Sequence, residues 1–304
     1  MLDAFNASSA QIRASIMMLA ALLCFTFMGV FIRLASAQVP VMEIVFFRNL
    51  LSMLILLPLI MRAGLSSLRM NRPKLFVWRA LVNFVGMYCG FAAVTMIPLA
   101  EATALTFTGP IFITIGAVLF LGEVIRMRRV VAIIFGFVGA LIILQPGFAE
   151  ISLGAILALI SALTIAMASL IVKKLTETET PGAIVFWMVA MQAPLAFFPM
   201  LAVWETPGTL GWIYLVGVAL SGTMAHMLFT KACGLVEITS LQPLEFSKLI
   251  FAVILAWFIF GELPTIWIWI GGTVIFASTA YITHRESKAK VSLKPNHGIK
   301  ETKL

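Results

Sequence analysis

Residues 243–262 read PLEFSKLIFAVILAWFIFGE. The run is long and apolar enough to cross a bilayer, because a helix needs about 20 such residues to span about 30 Å of hydrocarbon. Yet Glu245 and Lys248 stand inside it, three positions apart. A charge at the centre of a spanning helix costs about 2.5–3.5 kcal/mol on insertion scales, so two facing lipid would forfeit several kcal/mol. Both must face a cavity or each other. Their i, i+3 spacing places them on one helix face. At a rise of about 1.5 Å per residue from an entry near Ile238, Glu245 lies about 10 Å deep and Lys248 about 15 Å, close to the midplane. Two readings stay open at this point: a self-neutralising pair that packs the bundle, or a polar midplane site.

The rest of the chain has the same character. Of 304 residues, 62% are hydrophobic and 11% charged, with a mean hydropathy of +1.07. Soluble domains carry about 25% charged residues. The composition therefore predicts an all-α integral membrane protein with the lipid bilayer as its partner and no room for a soluble domain. Ten segments approach spanning length: 15–35, 42–61, 75–96, 100–121, 129–146, 152–172, 183–203, 211–232, 238–260 and 265–284.

The net charge of +8 is a topology signal. Assigned to alternate gaps, 17 of the 21 Lys and Arg residues fall on one side, Arg79 counted among them. The opposite gaps (36–41, 97–99, 147–151, 204–210 and 261–264) hold none. This asymmetry predicts cytoplasmic termini and an even number of spans. It also argues against a nucleic-acid partner, since the positives form no groove-binding patch. The N-terminal stretch has Asp3, no basic run and no small-residue cleavage site, so the first span is expected to be retained. Ser287 to Leu304 is polar and Lys-rich, as expected of a cytoplasmic tail near lipid headgroups.

An internal repeat organises the spans. AEATALTFTGPIFITIGAVLFLGE (100–123) parallels VEITSLQPLEFSKLIFAVILAWFIFGE (236–262). Both open with Glu-x-Thr-x-Leu, at Glu101 and Glu237, and both close with Gly-Glu, at Glu123 and Glu262. Upstream, Phe46-Phe47-Arg48 parallels Phe186-Trp187-Met188, at an offset of 140 residues. Each half then has five spans, and an odd number enters the second half from the opposite side. Such inverted repeats are a transporter architecture with a site near the midplane.

These motifs, together with FFRN at 46–49, resemble the EamA-type branch of the drug/metabolite transporter superfamily. The resemblance spans about residues 15–285. It implies ten helices in two inverted five-helix EamA repeats, at 15–146 and 152–285. Residues 1–14 would form a cytoplasmic N-terminus and 286–304 a cytoplasmic basic tail. It further implies alternating access in a bacterial inner membrane, moving an amino acid, riboflavin or S-adenosylmethionine. The Gly-Glu ends read as helix-end structure.

Several residues could carry substrate binding. Arg48 lies about two turns into the second span and snorkels outward, binds an anionic group, or pairs with a carboxylate on another helix. His226, about 12 Å inside the eighth span, is a packing histidine or a proton carrier. Asn83, Tyr88 and Gln192 are uncharged polar heads that line a pathway or bridge helices. Gln145 and Gln242 belong to the same group. Trp187, beside the repeat partner of Arg48, stacks on a planar substrate or anchors the core. Gly109-Pro110 and Gln242-Pro243 interrupt the fourth and ninth spans at comparable points. Paired interruptions of this kind are the best pointer from sequence to a transporter's site.

Other function classes fit poorly. Asp3 is the only aspartate, no His-Glu-x-x-His or Gly-x-Ser-x-Gly motif occurs, and no nucleotide-binding loop is present. Cys24, Cys89 and Cys233 have no metal-ligand spacing, so neither metal nor cofactor is expected. A scaffold would not need charge at the midplane. The expectation is a non-enzymatic secondary carrier with a small-molecule substrate, for which a monomer suffices.

Overall fold

The computed structural model describes residues 9–64, 68–122, 127–144, 152–245 and 247–261, with helical positions 266, 267, 269–274 and 277. Glu123, Gln145, Glu262 and the tail lie outside them, as do the side chains of Glu101 and Gln242. All regular structure among the described residues is helical. The elements are α1 (Ala10–Ala35), α2 (Val41–Ala63), α3 (Pro73–Met96), α4 (Leu99–Leu105), α5 (Gly109–Leu121), α6 (Met127–Leu144), α7 (Leu153–Leu175), α8 (Pro181–Leu201), α9 (Thr209–Leu235), α10 (Gln242–Glu245) and α11 (Ser247–Phe260). Of these, α1, α2, α3, α7, α8 and α9 are long and apolar enough to cross a membrane. The protein is a multi-pass membrane protein.

Local chemistry sets the helix starts. Ser9, Ser152 and Thr180 each cap a helix, their side-chain oxygens accepting the amides of Ile12, Ala155 and Ala183 at 3.3, 3.2 and 3.2 Å. The fourth and ninth segments are interrupted. A 3-10 turn over Thr106–Thr108 separates α4 from α5, and another over Ile238–Ser240 precedes α10. Pro110 and Pro243 are each the second residue of the helix that follows. There the missing proline N–H costs no intrahelical hydrogen bond. After α5 and α11 the chain leaves through Gly122 and Gly261, at φ +66° and +67°. A left-handed residue at that point is the usual helix stop, and only glycine adopts it without strain. The glycine of each Gly-Glu mark is therefore a terminator.

Packing follows three principal pairs: α1 on α9, α3 on α7, and α2 on α8. Small residues allow the close approach that substitutes for the hydrophobic effect in lipid. On α3, Gly86 offers its carbonyl to Ser161 Oγ of α7 at 2.8 Å. Side chains such as Leu119, Phe120, Phe198 and Phe258 project outward and are largely exposed, forming the face available to lipid.

One basic residue stands elsewhere than expected. Arg79 was assigned to a cytoplasmic gap, but α3 begins at Pro73, so Arg79 lies in its second turn and is only 2% exposed. Removing it leaves 16 basic residues against none in the gap asymmetry.

Candidate functional site

A cavity of about 190 Å³ lies between helices of both halves of the chain. Its lining comes from α1, α2, α3, α4, α7 and α9, and from either side of the α10–α11 junction. Its described lining includes Arg48, Arg79, Asn83, His226, Glu245 and Lys248, along with the hydroxyl residues Thr26, Thr103, Thr106, Ser161 and Ser169.

Arg48 projects from α2 and is 1% exposed. Its Nη1 donates to Asn49 Oδ1 at 2.8 Å, and Asn49 Nδ2 donates in turn to the Val45 carbonyl at 2.9 Å. That chain fixes the guanidinium, while Arg48 Nε is buried without a hydrogen-bond partner. Glycine at position 222 of α9 leaves room, since a Cβ there would lie 3.3 Å from Arg48 Nε. Arg79 is held in the same way. Its Nη1 donates to the Ile184 carbonyl of α8 at 2.7 Å, and its Nε is also unpartnered. Snorkelling of Arg48 is excluded by this burial.

Phe25 of α1 organises the opposite wall. Its ring meets His226 edge to face at 5.0 Å between centroids, and Lys248 Nζ lies 5.9 Å from its centroid. Such a cation–ring contact is worth about 0.5–1 kcal/mol when exposed and more when desolvated. Among the described residues, neither Glu245 nor Lys248 makes a hydrogen bond or ion pair. Both are half-buried with their heads on the cavity. Asn83 Nδ2 is directed to Met188 Sδ at 3.6 Å.

Three other sequence candidates, Trp187, Gln192 and Tyr88, are not among the residues lining the cavity. Trp187 Nε1 donates to the Leu68 carbonyl at 2.8 Å, which makes it an anchor for the chain between α2 and α3. Gln192 is fully buried and spends Nε2 on the Ala80 carbonyl of α3 at 3.0 Å. Tyr88 is 38% exposed on the outer face. Sequence reasoning missed Arg79 and Phe25. For Arg79 a signal existed: the expected third span, 75–96, already contained it, and Pro73 as a first-turn residue extends that helix further upstream.

Two segments of the chain, 12–145 and 152–284, match the EamA-like transporter family. The chain belongs to that family. It is a secondary transporter of small metabolites. Among the relatives of this EamA-like transporter is a riboflavin transporter of Vibrio cholerae, 29% identical over 282 residues, covering 91% of this chain and 95% of the relative. An S-adenosylmethionine uptake transporter of Rickettsia bellii is 31% identical over 247 residues, covering 81% of this chain and 85% of its own. A solved crystal structure superimposes with a TM-score of 0.77 over 93% of this chain and 99% of that one, at 17% identity. That likeness speaks for the fold alone.

Proposed function

We propose that this EamA-like transporter carries its metabolite by alternating access across the bacterial inner membrane, with the cavity as the binding site. Ten spans form two inverted five-helix repeats, 15–146 and 152–285, that rock around it. Arg48, Asn83, His226, Glu245 and Lys248 contact the substrate. The observation that carries this reading is the convergence of these side chains, from both halves, on one space inside an otherwise apolar bundle.

The helix pairs support the inverted arrangement. Exchanging the halves turns the α1–α9 pair into the α7–α3 pair and returns α2–α8 to itself. A two-fold axis in the membrane plane would produce that pattern. The 16-to-none distribution of basic residues supports cytoplasmic termini. Because one chain supplies the whole cavity, a monomer suffices. The relatives' named substrates, riboflavin and S-adenosylmethionine, make a small organic metabolite with hydrogen-bonding groups the cargo class to test first.

The test is uptake into proteoliposomes from a panel holding riboflavin, S-adenosylmethionine and amino acids. At least one compound should enter, and Glu245→Gln and Lys248→Ala should each slow it by about tenfold or more, the worth of one charge-assisted contact. Unchanged uptake by both variants, in correctly inserted protein, sinks the site assignment.

A further inference from the structure

The cavity is electrically one-sided. Among its described lining residues, Arg48, Arg79 and Lys248 bring three cationic heads to it and Glu245 the single carboxylate. His226 adds no negative charge in either protonation state. Among the described residues, no carboxylate pairs with Arg48 or Arg79. Both arginines are almost wholly buried. Burying a charge without a counter-charge is expensive, and this fold does it twice in one space.

The hydrogen bonding sharpens the point. A guanidinium carries five N–H donors. Asn49 Oδ1 and the Ile184 carbonyl each accept from one of them, which orients the two groups without neutralising either. In both, Nε is buried and unpartnered. The planar fork of arginine matches the paired oxygens of a carboxylate or phosphate.

We propose that the substrate carries a net negative charge, with its carboxylate or phosphate held between Arg48 and Arg79. Glu245 takes the cationic or protonated end where the substrate has one, and Lys248 a second anionic group where it has one. This rests on the transport reading above and narrows its cargo to organic anions. A neutral flavin would leave both guanidinium groups uncompensated, and a sulfonium compound of net positive charge would be repelled by them.

The experiment is a thermal-unfolding titration of the purified full-length protein at constant ionic strength. The probes are glutarate, glycerol 3-phosphate, the uncharged glutaramide and the dication of 1,5-diaminopentane, with chloride as the control. Glutarate or glycerol 3-phosphate should raise the melting temperature in a saturable way above the chloride control, and whichever does so identifies the anionic group. The apparent affinity should fall by about tenfold or more in Arg48→Gln and in Arg79→Gln. Arg48→Lys keeps the charge but loses the fork, so it separates a specific effect from a folding failure and should give an intermediate loss. No stabilisation by either anion, or equal stabilisation by the diamine or diamide, overturns the proposal. Uptake in proteoliposomes separates this failure from failure of the carrier reading. Riboflavin entering wild type and Arg48→Gln alike would remove the anion assignment and leave transport standing.

Discussion

Glu179 Oε1 accepts the backbone amides of Asn71 and Arg72, at 2.9 and 3.2 Å. The contact ties the turn ahead of α8 to the entry of α3, and so joins the second half of the chain to the first. At the far end of α2 a second carboxylate does the reverse, Glu43 Oε2 accepting the Glu205 amide at 3.1 Å. Each contact thus joins a carboxylate from one half to backbone of the other. A carboxylate on free N–H groups at a helix start is favoured by hydrogen bonding and by the helix dipole.

Removing one latch should open one end. Glu179→Ala is expected to weaken closure by about 1–2 kcal/mol and to expose the cavity from the end that holds Asn71. Glu43→Ala should expose it from the other. Thiol labelling of Met28→Cys, in a background with the three native cysteines replaced, reads this in oriented vesicles. The two variants should raise labelling from opposite sides. A rise from the same side in both would mean the contacts are not gates.

The neighbouring ion pairs should matter far less. Glu177 meets Arg72 at 3.2 Å and Lys174 at 3.1 Å, with all three side chains 33–44% exposed. Slight burial raises the Glu177 carboxyl, but hydrogen bonds and charge from Lys174 and Arg72 prevail and hold it below its usual value. A depressed folded-state value stabilises above the unfolded one, about 4.3, and the gain disappears as pH falls through the folded value. Exposed pairs contribute about 0–1 kcal/mol. Glu177→Gln should therefore shift melting at pH 7 only slightly, and salt should erase the difference. A large, salt-insensitive loss would show that this surface cluster is part of the latch.

Helix approach offers a third check. A Cβ at Gly217 of α9 would fall 2.8 Å from the Phe31 ring of α1, whereas one at Gly182 of α8 would meet nothing within 4 Å. Overpacking costs about 1–3 kcal/mol, while alanine is favoured over glycine in a helix by about 0.8–1.0 kcal/mol. Gly217→Ala should lower the melting temperature and Gly182→Ala should hold or raise it. Equal effects would mean that the α1–α9 contact yields freely.

Membrane class was legible because hydropathy over about 20 residues is a local property. The interruptions announced themselves through Pro110 and Pro243 for the same reason. Arg79 escaped because the charge count assigned it to a gap although the expected third span, 75–96, already contained it. Trp187, Gln192 and Tyr88 depended on which carbonyl or which face each side chain would meet. Leu68 is 119 residues from Trp187 in sequence, and Ala80 is 112 from Gln192. No local pattern encodes such partners. That Glu245 and Lys248 make no close ion pair among the described residues was likewise a tertiary matter, since their spacing alone allows one.

The α2–α8 contact carries an evolutionary consequence under the proposed arrangement. A surface that maps onto itself is the contact two identical copies would make. In such an ancestral pair, an arginine at position 48 would arrive twice, or a methionine twice. Here Arg48 faces the cavity from one half, and its counterpart in the other is Met188, whose sulfur meets Asn83. Fusing two copies into one gene removes the obligation to be symmetric, and an asymmetric cargo can then be read in a single orientation.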